Sequence, residues 1–244
     1  MLTVIKFAVV AMLPAGGAIY GIAKAREWFA TSPIFRIKSV TVRGIRRLER
    51  RELLSDCGVV PDMHMSAVRV DKVKERITRC PWIKKAGVWR WFPDKVLISV
   101  TEREPLALVN IGTVWQMDRE GVLMPMRSGE YLDLPVVSGV RDTIKDGQRV
   151  IRQSDVRCFL RFREAVASVE GEWWKRVTQV DLTDERRIGL ALEGYPAIIK
   201  IDRSNVRRRV NQLWHLLTKL RLEGEGAPRT IDIWRSSHRL IPLT

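Results

Sequence analysis

PWIKKAGVWRWFPDKVLISVTEREP, residues 81–105, decides how this chain divides. It reads as two strands around a turn. Ala86, Val88 and Arg90 share one face of the first strand. Val96, Ile98 and Val100 share one face of the second, with Leu97, Ser99 and Thr101 opposite. That alternation is the period-two pattern of a half-buried strand. Pro93-Asp94 supplies the turn, because proline fixes φ and an Asp carboxylate bonds the backbone beyond it. The residues upstream read as a domain that this hairpin closes. The residues downstream read as a second domain hung from Glu102-Arg103-Glu104-Pro105.

At 244 residues the chain has room for two small cores. The formal net charge is +15. Such a balance suits nucleic acid, anionic lipid or an acidic protein as partner, without choosing among them. Lys and Arg are spread along the chain, densest at Arg207-Arg208-Arg209, and most of this charge is expected on a solvated surface. Cys57, Cys80 and Cys158 match neither a zinc knuckle nor a C-x-x-C pair. They are expected as small buried hydrophobes. In an oxidising compartment Cys57 and Cys80 are a candidate pair.

Residues 4–23, VIKFAVVAMLPAGGAIYGIA, carry Lys6 as their only charge. A membrane span needs about 20 mostly apolar residues, so the run is just sufficient. Gly17 and Gly21 stand at the G-x-x-x-G spacing that permits close helix approach in lipid. A signal peptide competes, with Ala23-Lys24-Ala25 as an A-x-A-like site. The central Lys and the length of the run disfavour cleavage. The expectation is an uncleaved anchor within residues 1–25, with the bulk of the chain on its C-terminal side.

Residues 35–44 alternate with a change of phase at Lys38-Ser39, as in a strand with an irregularity. Residues 49–57 read as a short helix with Leu53 and Leu54 inward and Gly58 as its stop. Residues 66–80 read as a second helix, with Val70, Val73 and Ile77 at helical spacing and Pro81 beyond its end. The hairpin follows, giving the order β-α-α-β-β.

With Pro81-Trp82-Ile83, the Phe92-Pro93-Asp94 turn and the Glu102-Arg103-Glu104-Pro105 exit, this order resembles a POTRA domain. More narrowly, it resembles that of the bacterial cell-division FtsQ/DivIB family. Residues 114–123 (VWQMDREGVL) and 134–139 (LPVVSG) resemble the same family downstream, as does a single-span anchor ahead of the domain. The resemblance covers nearly the whole chain. One departure is the short N-terminal tail. The resulting fold class is α+β: an N-terminal transmembrane helix, a POTRA domain over residues 34–103, and a β-rich domain with helices packed on its sheet over residues 104–244.

In the second domain, residues 106–109 and 114–117 read as strands. Residues 154–169 form an amphipathic helix with Ser154 as N-cap. Strands are expected at 173–182, 187–192 and 197–202, then a helix from a Ser204 cap to Leu222. There Val206, Val210, Leu213, Leu217 and Leu220 form one stripe. One or two last strands are expected at 230–234 and 238–243. A sheet with helices packed on it fits an α+β domain.

The residues do not compose a catalytic site. H-E-x-x-H, G-x-S-x-G and P-loop patterns are all missing from the sequence. His215 has no Asp or Glu at i±4 and reads as a packed or solvated side chain. Glu102 and Glu104 fall on one strand face around Arg103, and are expected in a surface or inter-domain ion pair rather than as a glycosidic acid pair. Trp89-Arg90-Trp91 could stack bases between cations. The better reading is that Trp89 and Trp91, on one strand face, pack on the partner domain, since a chain anchored outside the cytoplasm meets little nucleic acid. No enzyme activity, cofactor, metal, small-molecule substrate or nucleic acid is expected.

A strand that ends a chain is often a sheet edge, whose free N–H and C=O groups template strand addition. Ile231, Ile233 and then Leu240 to Leu243 are apolar, while Arg235, His238 and Arg239 supply charge and hydrogen bonds. The bland reading is a strand that merely completes its sheet. The resemblance implies more. FtsQ-like proteins are scaffolds that use this region to bind the small single-span coiled-coil proteins FtsB and FtsL. Their Asp-Leu-Arg-Tyr-like run matches Asp232-Ile233-Trp234-Arg235, with the aromatic and basic positions exchanged. A basic pair of the family matches Arg186 and Arg187, ready for an acidic side chain on the partner.

The resemblance therefore implies a divisome scaffold of the inner membrane: single-pass, N-terminus cytoplasmic, bulk periplasmic, concentrated at the septum. Its partner-binding residues would be Arg186, Arg187, Ile231, Ile233, Trp234, Arg235, Ser237, His238, Leu240 and Ile241. Trp89, Arg90 and Trp91 would form a second recruitment face. The alternative is a POTRA polypeptide-binding module of outer-membrane assembly or secretion. Such chains carry several repeats or a barrel of many strands, and this one carries a single POTRA unit and a small domain.

Overall fold

The computed structural model describes residues 21, 24, 26–29, 31–127, 129–169, 171–223, 230–234 and 237–241. The expected membrane helix at residues 4–23 lies outside them, save Gly21. Among the described residues no helix is long and apolar enough to cross a membrane. The chain divides into two compact units, one ending at Glu102 and the other beginning at Arg103.

In the first unit, β1 (Ser39–Arg43), α1 (Arg50–Cys57), α2 (Val70–Thr78), β2 (Ile83–Trp91) and β3 (Lys95–Glu102) follow the β-α-α-β-β order. The sheet order is β1-β3-β2, with β1 parallel to β3 and β2 antiparallel to it. Ala86, Val88, Val96, Ile98 and Val100 are buried together with Leu53, Val73 and Ile77 from the helices. Each Val, Leu and Ile side chain among them contributes about 1.5–3 kcal/mol on burial. Gly58 ends α1 at φ 69°, a left-handed turn that glycine enters without a Cβ clash.

Three expectations shift here. β1 starts only at Ser39, because Pro33–Phe35 form a 3-10 turn and the Ile37 N–H donates to the Met63 carbonyl instead of to a strand. The second helix is divided: His64 caps a 3-10 turn at Met65–Ala67 by accepting from the Ser66 N–H, and α2 begins at Val70. Leu54 is only half-buried, whereas Leu53 and Cys57 face inward.

The second unit is built on a nine-stranded mixed sheet of order β14-β13-β12-β11-β10-β7-β4-β5-β6. Its strands are β4 (Ala107–Asn110), β5 (Val114–Met117), β6 (Leu123–Pro125), β7 (Val136–Ser138), β10 (Val177–Asp181), β11 (Arg187–Leu192), β12 (Tyr195–Asp202), β13 (Thr230–Trp234) and β14 (Ser237–Ile241). A separate hairpin pairs β8 (Asp142–Lys145) with β9 (Gln148–Ile151). The sequence reading missed it. Its signal was Asp146-Gly147, both with positive φ, the two-residue turn that suits a hairpin.

The helices α3 (Gln153–Val169) and α4 (Val206–Glu223) bury Phe159, Phe162, Val166, Val210 and Leu213 against the sheet. The helix expected from a Ser154 cap starts instead at Gln153, with the Arg152 carbonyl accepting the Asp155 and Val156 N–H groups. Likewise α4 starts at Val206, beyond the expected Ser204 cap. The strand expected from Trp173 is a 3-10 turn over Gly171–Arg176. Trp173 is buried edge-on to Trp214 at 5.4 Å, and Trp174 stands edge-on to Phe159 at 5.9 Å. Ring packing there sets the backbone path, and β10 forms only after it.

Candidate functional site: the free edge of the C-terminal sheet

The last four strands and the loop before β11 hold the described residues among those singled out toward the C-terminus. β12 pairs in parallel with β13, and β13 pairs antiparallel with β14. β14 ends the sheet, so its outer row of main-chain groups has no strand beside it among the described residues. β13 is interior, with main-chain partners on both sides.

Alternation sorts the side chains of β13. Ile231 and Ile233 are buried, in register with Ile199 and Ile201. They belong to the core, which withdraws them from the surface assigned to them from sequence. Asp232 between them turns to the other face, opposite Lys200 on β12. Trp234 pairs with Ser237, His238 with Ile233, Leu240 with Ile231 and Ile241 with Thr230. Arg235 lies outside the described residues.

The basic pair is divided by its surroundings. Arg186 is exposed, its N–H bonded to Asp184 Oδ1 at 2.7 Å. Arg187, on β11, reaches across β12 and donates from Nη1 to Asp232 Oδ2 at 3.0 Å. The resemblance implied an acid on a partner for Arg187; the fold gives it an acid of its own. Asp232 Oδ1 is buried and has no hydrogen-bond partner among the described residues. Arg203, which the sequence reading passed over, donates to the Arg187 and Leu182 carbonyls and ties the start of β11 down. Burial pushes the Asp181 carboxyl up, but bonds from Thr183 and Ser138 and the Lys200 charge outweigh it and hold the group below its ordinary range.

The first unit carries the second candidate face. Trp89 and Trp91 are exposed on the outer face of β2. Arg90 does not join them, because its guanidinium turns to the Val68 carbonyl. The β2 strand is also a sheet edge. Glu102 departs from the expected ion pair: its carboxylate accepts the N–H groups of Arg46, Arg47 and Leu48 at 2.9–3.0 Å. Successive N–H groups of this kind form an anion nest. Cys57, Cys80 and Cys158 form no disulfide bond among the described residues, and burial pushes the Cys57 and Cys158 thiols up.

Residues 35–103 match the family model of the FtsQ-type POTRA domain. Proteins named cell division protein FtsQ align over larger parts of the chain. That of Myxococcus fulvus is 33% identical over 129 residues, covering 52% of this chain and 45% of the relative. That of Syntrophotalea carbinolica is 34% identical over 125 residues, covering 50% and 44%. The chain thus carries a POTRA domain of the FtsQ type and is similar to FtsQ proteins over about half its length.

A third FtsQ protein, from Caulobacter vibrioides, aligns over 180 residues at 30% identity, covering 72% of this chain and 58% of the relative. The chain spans about half the length of the curated FtsQ relatives it matches. The matched 35–103 segment holds all of β1 to β3 with both helices, and ends at Arg103. Arg103 is buried and donates to Asp118 at 2.6 Å and Glu120 at 2.7 Å. Its side chain is thus fixed within the unit that follows.

Proposed function

We propose that this chain is a cell-division scaffold of the FtsQ family, anchored by its N-terminal apolar segment with both units outside the cytoplasm. It holds small single-span coiled-coil division proteins of the FtsB and FtsL kind at the septum. The observation that carries this reading is the edge of β14, which has no strand beside it among the described residues, at the end of a nine-stranded sheet. A partner strand added there continues the ladder, and main-chain hydrogen bonds supply affinity. Arg186, exposed on the loop before β11, offers a charge-assisted bond to an acidic partner side chain. Trp89 on the outer face of β2 is proposed as a second contact for recruitment.

The experiment is capture of the tagged full-length chain from gently solubilised membranes, beside a twin ending at Trp234 and a Leu240→Pro variant. Capture of small coiled-coil division proteins by the full chain alone supports the scaffold and its edge. Equal capture by all three, with unchanged melting, leaves the scaffold standing and removes the β14 site. Capture of outer-membrane barrels or secretion substrates moves the chain to the polypeptide-binding class.

A further inference from the structure

The two ends of the POTRA sheet differ in chemistry. β1 and β3 run parallel with Ser39 opposite Lys95, so both begin at the end that the 92–94 turn closes. The Lys38 N–H donates to the Asp94 carbonyl at 2.9 Å, and the Ile37 N–H to that of Met63 at 2.9 Å. Three parts of the chain therefore meet there: residues 26–29 with 31–38, the loop at 60–64 and the turn. Trp28, Ile34, Val60, Trp91 and Phe92 are between 49% and 63% exposed at this end. Phe35 joins them, with ring centroids 4.2 Å from Phe29, 5.8 Å from Trp28 and 6.2 Å from Phe92. At the other end of the strands the Glu102 carboxylate is folded into backbone N–H groups.

From this asymmetry we infer that the turn end of the POTRA domain is seated in the headgroup region of an anionic bilayer. Two features select lipid as the occupant. The apolar run at residues 4–23 stops immediately before Lys24, so the chain reaches this end directly from the segment read as the anchor. In the segments that lead to this end, Lys24, Arg26, Arg36, Lys38 and Lys95 also outnumber Glu27, Asp62 and Asp94, which pair with Lys24, Arg36 and Lys38 and leave the charge of Arg26 and Lys95 in excess. Aromatic rings within a cationic rim match the boundary between acyl chains and anionic headgroups. The ring cluster ties Trp28, Phe29 and Phe35 to Phe92 of the turn, so the domain is held at the surface rather than swinging on a linker. Trp89 lies further along β2, away from the turn, and stays open to protein.

The inference rests on the membrane-anchored reading above, and the test separates the two. Full-length chain carrying Cys80→Ser receives a nitrobenzoxadiazole probe at Lys95→Cys, beside the turn, or at Lys85→Cys, toward the far end of the hairpin. Both lysines are exposed. The protein is placed in phosphatidylcholine–phosphatidylglycerol vesicles with brominated acyl chains. The probe at 95 is expected to be quenched about twofold, as for groups lying ~5–10 Å into the boundary, and the probe at 85 not at all. Trp91→Ser/Phe92→Ser should abolish the quenching at 95. A chain that resists alkaline extraction while its probe at 95 stays unquenched keeps the anchor and overturns the inference. Shielding of that probe without bromine quenching means a protein occupant and also overturns it. Extraction of the whole chain by alkali removes the anchor reading and the inference with it.

Discussion

Arg187 Nη1 lies 3.0 Å from Asp232 Oδ2, joining two strands that are not neighbours in the sheet. The pair spans β12 on the face away from the core and is about a quarter to a third exposed. Asp232→Asn is expected to lower stability by about 1–2 kcal/mol, between a surface pair and a buried charged hydrogen bond. Urea denaturation of Asp232→Asn, Arg187→Met and the double variant checks it. Coupling near zero in that cycle would mean the pair is incidental.

Arg103→Met removes the buried partner of Asp118 and the bond to Glu120. Asp118 also accepts the Glu120 and Val122 N–H groups through Oδ1, which shapes the turn at 118–121. Stranding a buried carboxylate costs about 3–5 kcal/mol. The second unit should melt earlier, while the POTRA unit keeps its own transition in calorimetry. Loss of the POTRA transition instead would contradict this assignment of Arg103.

Glu102→Gln weakens the acceptor for three backbone N–H groups without changing side-chain size. The expected loss is about 1–2 kcal/mol, as for a charge-assisted acceptor. Amide exchange at Arg46, Arg47 and Leu48 should speed up first. Unchanged protection there would refute the nest as a stabilising element.

Asp155 is buried at the start of α3. Burial pushes its carboxyl up, but Arg152, the Arg141 N–H and Ser154 outweigh that and hold it below the ordinary carboxylate range, as the partners of Asp181 do. A folded pKa below the unfolded value of ~3.9 favours the folded state above that pH. The contribution is complete above the unfolded value and disappears as pH falls through the depressed folded value. The melting temperature of the second unit should therefore drop below about pH 4. Asp155→Asn should flatten that drop, and an unaltered pH profile would remove Asp155 as a contributor.

Ile231→Ala probes core against contact. Ile231 is buried. Its truncation should cost about 2–5 kcal/mol of stability. Loss of partner binding in that variant should track unfolding, whereas Leu240→Pro should lose binding with far less change in melting. Full stability in Ile231→Ala would place the side chain outside the core.

Period-two alternation determined the hairpin of residues 81–105, since one face of a sheet must be apolar wherever helices cover it. Helical spacing likewise determined α2, α3 and α4. Composition determined that residues 4–23 are apolar and that cations follow them. Tertiary structure alone decided which face each C-terminal residue meets. Ile231 and Ile233 looked like anchors for a partner because an apolar strand at a chain end reads the same whether it is interior or edge. Only the pairing of β13 with both β12 and β14 made them core and passed the edge to β14. Arg187 read as a free cation because its counter-charge lies 45 residues away. Arg90 turned from the tryptophans beside it toward a carbonyl of the loop before α2. Side-chain alternation is a local property of the backbone, whereas charge pairing and edge status depend on which distant strands the fold brings alongside.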